Sequence, residues 1–467
     1  MKLFLTLIFL TLAACLTNVE KSKSVIEGNA VIHSISAEDI SNGVIYEANI
    51  RQYSPEGSFN AFTKDLQVLK ELGVKIIWLM PINPISTTKS KGPLGSYYAV
   101  SDYKKVNPEF GTELDFRNLV DKAHELGISI LLDWVPGHTG WDHVWIKNHP
   151  DYYLKNDNGE IIDPINHETG KSWGWTDVAD LDYDNLLMQE AMTQAMVYWV
   201  KEFDIDGYRV DQAYAVPQSF FDRTFKVLRM IKPLFFLAET DIDHPGGIQL
   251  VDKFDASYHS GNYFLKQIAQ AKMTVSELEN HFQSIMRKHQ EKNILLNYTL
   301  THDVNSWQGS SEELYGDAYP MLTAFTYIYP GMPLLYSGQE YDLNKRLLFF
   351  EKDNFPKEIG ETMDLLKDLG SLKNTSDALT VGKNQASFFS LTPKVTMNYG
   401  VENQIFSFQR AGEKDTLVFV ANMSKNYAQF NFDFNGNFFE YPNGKEKILS
   451  DSYEYVMKPW EYWILIK

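Results

Sequence analysis

The sequence predicts an α/β protein: a (β/α)8 TIM barrel with a small inserted domain after strand 3 and a C-terminal antiparallel β-sandwich domain. From Gly43 to about Gly338, apolar runs alternate with helical patterns, which is typical of a parallel sheet covered by helices. We count eight such runs, and eight strands close this kind of barrel. After Ser376 the pattern changes to short strands of alternating polarity, which favours an antiparallel sheet.

Two helix–strand units show the repeating pattern most clearly. Residues 59–72 place apolar side chains at helical spacing, stop at Gly73 and lead into a continuous apolar strand. A second helix follows Thr112, which resembles an N-cap with Asp115 three residues later, and this helix stops at Gly127. The eight predicted strands cover residues 43–50, 74–80, 129–135, 206–211, 234–239, 254–258, 294–303 and 333–337.

The sequence also predicts the boundaries of the domains. The barrel covers residues 41–375, and the C-terminal β domain covers residues 376–467. The segment after the third strand is too long for a simple connection, so we expect a small inserted domain at about residues 136–183. Residues 16–40 are polar and uneven, and we interpret them as a tether.

The N-terminus has the form of a bacterial lipoprotein signal peptide. Lys2 precedes a short apolar run, and two alanines precede Cys15, the one cysteine of the chain. The run is shorter than the roughly 20 residues that a membrane-spanning helix needs. We therefore expect residues 1–15 to be a signal peptide and Cys15 to be lipidated, with the protein exported and anchored at the periplasmic or cell-surface face of a membrane. The alternative is an ordinary secretory peptide in which Cys15 is incidental.

Charge and composition narrow the classes of partner. The formal net charge of −18 disfavours binding to phosphate backbones, so we expect no nucleic acid partner. Aromatic residues make up 14% of the chain and include 10 tryptophans, most of which we expect in the core. A tryptophan outside the core could stack on a sugar, and only its position in the structure can support that role.

Three short strings each place a carboxylate at the end of a predicted strand: Asp211, Glu239 and Asp303. Because the ends of all strands of a parallel barrel meet at one face, we expect the three side chains to share a pocket. Two carboxyl groups at a suitable separation suffice to break a glycosidic bond. Each group also has a structural alternative, since Asp211 could form a buried salt bridge with Arg209, Glu239 could cap a turn, and Asp303 could be an ordinary loop residue.

Seven motifs in order along the chain carry a resemblance to a known family. They are residues 95–112, 133–138 (DWVPGH), 179–182 (ADLD), 207–211 (GYRVD), Glu239, 302–303 (HD) and 331–340 (GMPLLYSGQE). On these motifs the chain resembles glycoside hydrolase family 13, the α-amylase family, over roughly residues 43–467. Each string alone is a weak signal, whereas seven in order at compatible separations are a specific one.

The resemblance implies a retaining hydrolase of α-1,4-glucans such as starch or maltodextrins, with no required cofactor. It implies that Asp211 is the nucleophile, Glu239 the acid/base and Asp303 the group that stabilises the transition state. Arg209 lies two residues before Asp211 on one strand, so both side chains face the same way, and we expect its charge to lower the pKa of Asp211. The implied sugar-binding residues are Tyr98, His138, Arg209 and His302.

The chain departs from the family pattern at positions that bear on metal binding and specificity. Gly137 stands where the family usually has an asparagine that serves a calcium site, so the metal ligands stay open. Other oxygen donors are available at Asp142, Asp177 and Asp180, and calcium therefore remains an open cofactor. After Asp211 the usual Lys-His pair is absent, which leaves the linkage preference open. Among Trp141, Trp145, Trp173 and Trp175 of the insert, we expect mostly core residues and one or two sugar platforms.

Two alternatives to the main interpretation remain. The first is an α-glucosidase, a pullulan-cleaving enzyme or a glucanotransferase on the same scaffold. The second belongs to another class: a catalytically inactive lipoprotein that only binds glucan. The presence of all three carboxylates together with Arg209 argues against the second alternative.

Overall fold

The computed structural model describes residues 33–166, 169–242, 246–289, 293–392 and 403–467. The predicted signal peptide, the lipidation site at Cys15 and the tether up to residue 32 lie outside the described residues. Residues Ser34–Lys467 form one compact unit. In the described ranges, no helix combines the length and the apolar character needed to cross a membrane.

Eight parallel strands form a closed barrel, which confirms the predicted fold class. Neighbours in the barrel are neighbours in the chain, and the last strand pairs with the first through Ile45↔Leu334 and the two residues after each. All residues of the first strand are buried, as expected for strands covered on both faces. The strands are β1 (Val44–Ala48), β2 (Val74–Leu79), β3 (Ser129–Trp134), β4 (Gly207–Val210), β5 (Phe235–Asp241), β6 (Ala256–Tyr258), β7 (Ile294–Asn297) and β8 (Met332–Tyr336).

Three predicted strands end two or more residues away from the predicted position, and the first of them, β1, ends at Ala48 rather than at residue 50. The strand predicted over residues 294–303 ends at Asn297, where its pairing with β8 reaches Pro333, a residue without an N–H for the ladder. The Asn297 amide instead donates to the backbone oxygens of Tyr329 and Thr326. Strand β5 continues past Glu239 to Asp241, because Tyr258 pairs with Asp241 after a shift of register.

The helices follow the predicted signals with one difference. Thr112 caps its helix with a complete capping box, in which Asp115 N–H donates to the Thr112 hydroxyl and Thr112 N–H donates to the Asp115 carboxylate. The helix predicted over residues 59–72 is two short helices that meet at Lys64 and Asp65. The helices are α1 (Ala37–Asn42), α2 (Ile50–Tyr53), α3 (Phe59–Thr63), α4 (Leu66–Glu71), α5 (Glu113–Glu125), α6 (Val144–Asn148), α7 (Leu186–Phe203), α8 (Gln218–Arg229), α9 (Gly247–Leu250), α10 (Gly261–Ala269), α11 (Val275–His289), α12 (Ser311–Tyr315), α13 (Tyr319–Ile328) and α14 (Glu361–Thr375).

The segment between β3 and α7 contains two small antiparallel pairs. One joins His138–Gly140 to Val178–Asp180, and the other joins Ile165–Asn166 to Lys171–Ser172. The first pair lies directly after β3, so it holds this segment at the C-terminal end of the barrel. The segment between β3 and α7 therefore borders the C-terminal face of the barrel, where we expect the three carboxylates.

The C-terminal part is antiparallel, as predicted. Six strands form one sheet, which runs in the order 387–390, 405–411, 416–422, 462–466, 436–440 and 445–449. Residues 428–430 pair with residues 455–457 as a second, smaller layer. Apolar side chains fill the space between the layers, including Val418, Phe430 and Trp463. The strands are β9 (Ser387–Ser390), β10 (Ile405–Ala411), β11 (Thr416–Asn422), β12 (Ala428–Phe430), β13 (Gly436–Glu440), β14 (Lys445–Leu449), β15 (Tyr455–Met457) and β16 (Tyr462–Ile466).

Candidate active site

Charged side chains gather at the C-terminal ends of the barrel strands. Glu47 lies near the end of β1, Asp133 near the end of β3 and Arg209 near the end of β4. Asp211 follows β4 directly, and Glu239 lies near the end of β5. In parallel barrels this end of the sheet is the one that carries functional residues. The structure thus brings Arg209, Asp211 and Glu239 to one place, where the sequence predicts them.

The guanidinium of Arg209 is the centre of this cluster. Its Nη1 donates to Asp133 Oδ1 at 2.8 Å and to Asp211 Oδ1 at 3.1 Å. Its Nη2 lies 2.8 Å from Glu239 Oε2. Asp133 is opposite Arg209 in the β3–β4 register, which explains why these two side chains meet. The Trp78 ring lies 4.8 Å from the guanidinium carbon, so the cation is held between carboxylates and an aromatic face.

The pKa of Asp211 differs from the sequence prediction. Burial raises it well above its usual range, and the negative charge of Glu239 raises it further. Arg209 acts in the opposite direction, as predicted, but does not outweigh these two effects. The prediction that the arginine leaves Asp211 with a lowered pKa is therefore wrong, because it omitted burial and the second carboxylate. We conclude that the protonation of Asp211 depends on its burial and on the negative charge of Glu239, and not on Arg209 alone.

A chain of hydrogen bonds leads from β1 to the same cluster. His302 Nδ1 lies 2.5 Å from Glu47 Oε1, and His302 Nε2 lies 2.9 Å from the Tyr98 hydroxyl. The Tyr98 hydroxyl donates to Asp133 Oδ2 at 3.0 Å. Burial alone would lower the pKa of His302, but the charges of Asp303 and Glu47 and the bond to Glu47 raise it to about 9. His302 is therefore charged at neutral pH and donates from both ring nitrogens, so it orients Tyr98 towards Asp133.

Two other predicted site residues, His138 and Asp303, differ in burial. His138 is buried, and burial lowers its pKa to about 4, so its imidazole is neutral at neutral pH. Its ring lies 6.2 Å from that of Trp175 in the insert. The Asp303 side chain is half exposed, with Oδ1 3.6 Å from His302 Nε2. Asp303 thus faces the solvent side of the cluster rather than its buried centre.

Two carboxylates of the cluster were not among the predicted site residues. Glu47 is fully buried on β1 between apolar neighbours, and Asp133 is buried at the centre beside Arg209. A carboxylate within an apolar strand is costly unless it is paired, which is the sequence signal that could have identified Glu47. Asp133 stands within the DWVPGH motif but had no separate role in the prediction.

Three of the oxygen donors considered for calcium already contact groups of the protein. Asp177 Oδ1 lies 2.7 Å from the amine of Lys91, so a cation of the protein already occupies its place. Asp142 Oδ2 accepts from Thr87 N at 2.8 Å and from the next backbone N–H at 3.2 Å. The Gly137 carbonyl accepts from Leu181 N at 3.1 Å. A calcium ion takes about six to eight oxygen ligands, whereas these donors serve the protein itself.

The barrel and the paired carboxyl groups at its C-terminal end define the class of protein as a glycoside hydrolase. The family model described as alpha amylase, catalytic domain, matches residues 36–302. The chain therefore belongs to the α-amylase family.

Individual relatives agree with this assignment. The chain is 25% identical to the malto-oligosyltrehalose trehalohydrolase of Saccharolobus solfataricus, over 79% of this chain and 70% of the relative. It is also 25% identical to the α-amylase MalA of Haloarcula japonica, over 83% of this chain but 55% of the relative. The crystal structure of the noncanonic maltogenic α-amylase AmyB from Thermotoga neapolitana superimposes with a TM-score of 0.80 at 26% identity, and covers 93% of this chain and 99% of its own. An α-amylase from Lactobacillus plantarum also gives a TM-score of 0.80, at 25% identity over 92% of this chain and 100% of its own.

Proposed function

We propose that this protein hydrolyses α-1,4-glucosidic bonds in starch, maltodextrins or related α-glucans, with retention of configuration. The observation that carries the proposal is the contact of one buried arginine with both Asp211 and Glu239. This contact holds the two carboxyl groups beside one guanidinium. A retaining mechanism needs one ionised and one protonated carboxyl group on either side of the bond.

In the first step, an oxygen of Asp211 attacks the anomeric carbon. Because Arg209 holds Oδ1 of Asp211, the attacking atom is Oδ2. Glu239 gives its proton to the glycosidic oxygen, the bond to the leaving sugar breaks, and a glycosyl ester on Asp211 results. In the second step, Glu239 takes a proton from water, whose oxygen attacks the anomeric carbon and releases Asp211 as the carboxylate. Glu239 is then protonated and Asp211 ionised, as at the start of the first step.

The neighbouring side chains supply binding and charge stabilisation. Asp303 is half exposed at the rim, so its carboxylate is free to accept hydrogen bonds from sugar hydroxyls and to favour the positive charge of the transition state. The neutral ring of His138 is suited to a hydroxyl contact without adding positive charge. Both nitrogens of His302 contact protein oxygens, so its first role is to orient Tyr98. The Tyr98 ring is then fixed as a stacking surface for the sugar at the cleaved bond.

A product profile on amylose, pullulan and isomaltose tests the proposal against its alternatives. We expect wild type to release short maltodextrins from amylose, because α-amylases are among the proteins that this chain resembles. Cleavage of isomaltose would indicate an α-glucosidase, and cleavage of pullulan without amylose would indicate a pullulan-cleaving enzyme. Longer products built from maltodextrins would indicate transfer. Binding of glucan without any product would favour the inactive lipoprotein.

We further propose that the insert is held by Lys91 rather than by calcium. Lys91 joins the loop after β2 to Asp177 of the insert through an ion pair of 2.7 Å, and its amine also donates to Gly174 O at 3.3 Å. We expect a chelator such as EDTA to leave the unfolding temperature and activity unchanged. Lys91→Met should lower the unfolding temperature, whereas Lys105→Met, which removes an exposed pair with Glu113 at 3.7 Å in the same segment after β2, serves as the control. A large loss of activity with EDTA that calcium restores would contradict this proposal.

A further inference from the structure

Trp307 presents an exposed indole beside the active site. It lies in the π-helix Val304–Gln308, which follows Asp303 directly, and 55% of its surface is exposed. Its ring centre is 5.4 Å from that of Phe349 and 6.0 Å from that of Phe350. An exposed indole supported by two rings is a rigid apolar surface, and π-helical turns occur frequently at functional sites. Nothing in the proposed mechanism uses this side chain.

A second exposed indole lies on the insert. Trp173 is 48% exposed and stacks on Trp175 with centroids 5.8 Å apart and an interplanar angle of 16°. Trp175 in turn packs near His138 of the active site. The pair thus forms a supported aromatic surface on the side of the site that the insert borders.

Ring contacts connect Trp307 to Tyr98, and a backbone hydrogen bond connects Tyr98 to the surface on the insert. Tyr98 stacks on Phe349 with centroids 6.4 Å apart and an interplanar angle of 10°. On the other side, the backbone of Tyr98 hydrogen-bonds with His138, which leads to Trp175. The Tyr98 hydroxyl contacts Asp133 in the Arg209 cluster. The two exposed indoles therefore lie at the two ends of a series of contacts that passes through Tyr98, beside the reacting groups.

We propose that Trp307 and Trp173 are stacking platforms for glucosyl units on opposite sides of the cleaved bond, an inference that rests on the proposed function. The C–H face of a pyranose is apolar and fits an exposed indole, while its hydroxyl groups stay in water. A substrate that reaches both platforms is an oligosaccharide rather than a disaccharide. The protein therefore selects α-glucan chains by length, and each tryptophan fixes one end of the chain relative to Asp211.

The positions of cleavage in maltoheptaose labelled at its reducing end test this arrangement. We compare wild type with Trp307→Ala, Trp173→Ala and the control Tyr453→Ala, whose side chain is 56% exposed in the C-terminal domain. Each tryptophan variant should lose about three- to tenfold in kcat/KM on maltoheptaose, the usual effect of one aromatic contact, and less on maltotriose. The two variants should move the cleavage site in opposite directions along the labelled chain, and Tyr453→Ala should leave it in place.

The outcomes separate this inference from the proposed function. If wild type cleaves maltoheptaose and both tryptophan variants keep its cleavage pattern, the inference is wrong and the proposed function stands. A shift in the same direction in both variants would also overturn it, because the platforms would then lie on one side. If wild type cleaves no α-glucan, the proposed function fails. Maltoheptaose affinity by titration calorimetry then decides: equal affinity of wild type and Trp307→Ala overturns the platform, and weaker binding by the variant supports it.

Discussion

Replacement of Asp211 by asparagine should reduce kcat on maltoheptaose by at least about 10⁴-fold, as is usual for the loss of a nucleophile. An amide cannot form the glycosyl ester, and it carries no charge to favour the transition state. The fold should persist, because the asparagine oxygen can still accept the hydrogen bond from Arg209 that Asp211 Oδ1 accepts at 3.1 Å. Initial rates, together with the unfolding temperature of each variant, check this expectation.

The matched control is Asp317→Asn. This aspartate is exposed on a short turn of helix outside the site, so the same substitution should leave kcat unchanged. Glu239→Gln should also be strongly impaired, since the amide has no proton to give to the leaving oxygen. Activity of Asp211→Asn within tenfold of wild type would mean that another group attacks the anomeric carbon.

Replacement of Arg209 by methionine should destabilise the protein by about 3–5 kcal/mol at neutral pH, because breaking a buried ion pair leaves uncompensated charge. Burial raises the pKa of both Asp133 and Asp211, and the arginine opposes this rise in each. Without it, both folded-state pKa values rise further. A carboxyl group whose pKa is higher in the folded state destabilises that state as the pH increases. The loss should therefore be smaller near pH 4, where these carboxyl groups are partly protonated in the unfolded state as well.

Urea denaturation at pH 4 and pH 7 measures this effect. The control is Arg346→Met, which removes an exposed ion pair with Glu313 at 2.7 Å. Exposed pairs contribute about 0–1 kcal/mol, so this variant should show a small loss with little dependence on pH. An equal loss in the two variants, or a loss in Arg209→Met that does not grow with pH, would contradict the assigned role of Arg209.

The barrel could be predicted from the sequence because its strands are buried on both faces and so appear as continuous apolar runs. The residues at which the strands end were harder to predict, because a strand ends where its pairing with the neighbouring strand ends. The end of β7 at Asn297 is set by Pro333, which lies on another strand. The stop signals at Gly73 and Gly127 could be read directly, because both residues adopt the positive φ that ends a helix.

Asp211, Glu239 and Arg209 could also be identified, since each stands at the end of an apolar strand. Their electrostatics could not be predicted, because the pKa of Asp211 depends on Glu239 from another strand. The same limit applies to Glu47, whose partner His302 is distant in the chain. It applies again to the contact of Lys91 with Asp177, which joins a loop and an insert whose meeting no local pattern indicates.

The central claim is that Asp211 forms a covalent bond to the sugar beside Arg209. A 5-fluoro-α-glucosyl fluoride forms the glycosyl ester and slows its hydrolysis, so the adduct accumulates on the nucleophile. Mass spectrometry of the digested protein should then find the added sugar on the peptide that contains Asp211, and on that residue when the peptide is fragmented. A sugar attached to Glu239 or Asp303, or turnover of the reagent with no adduct, would contradict the claim.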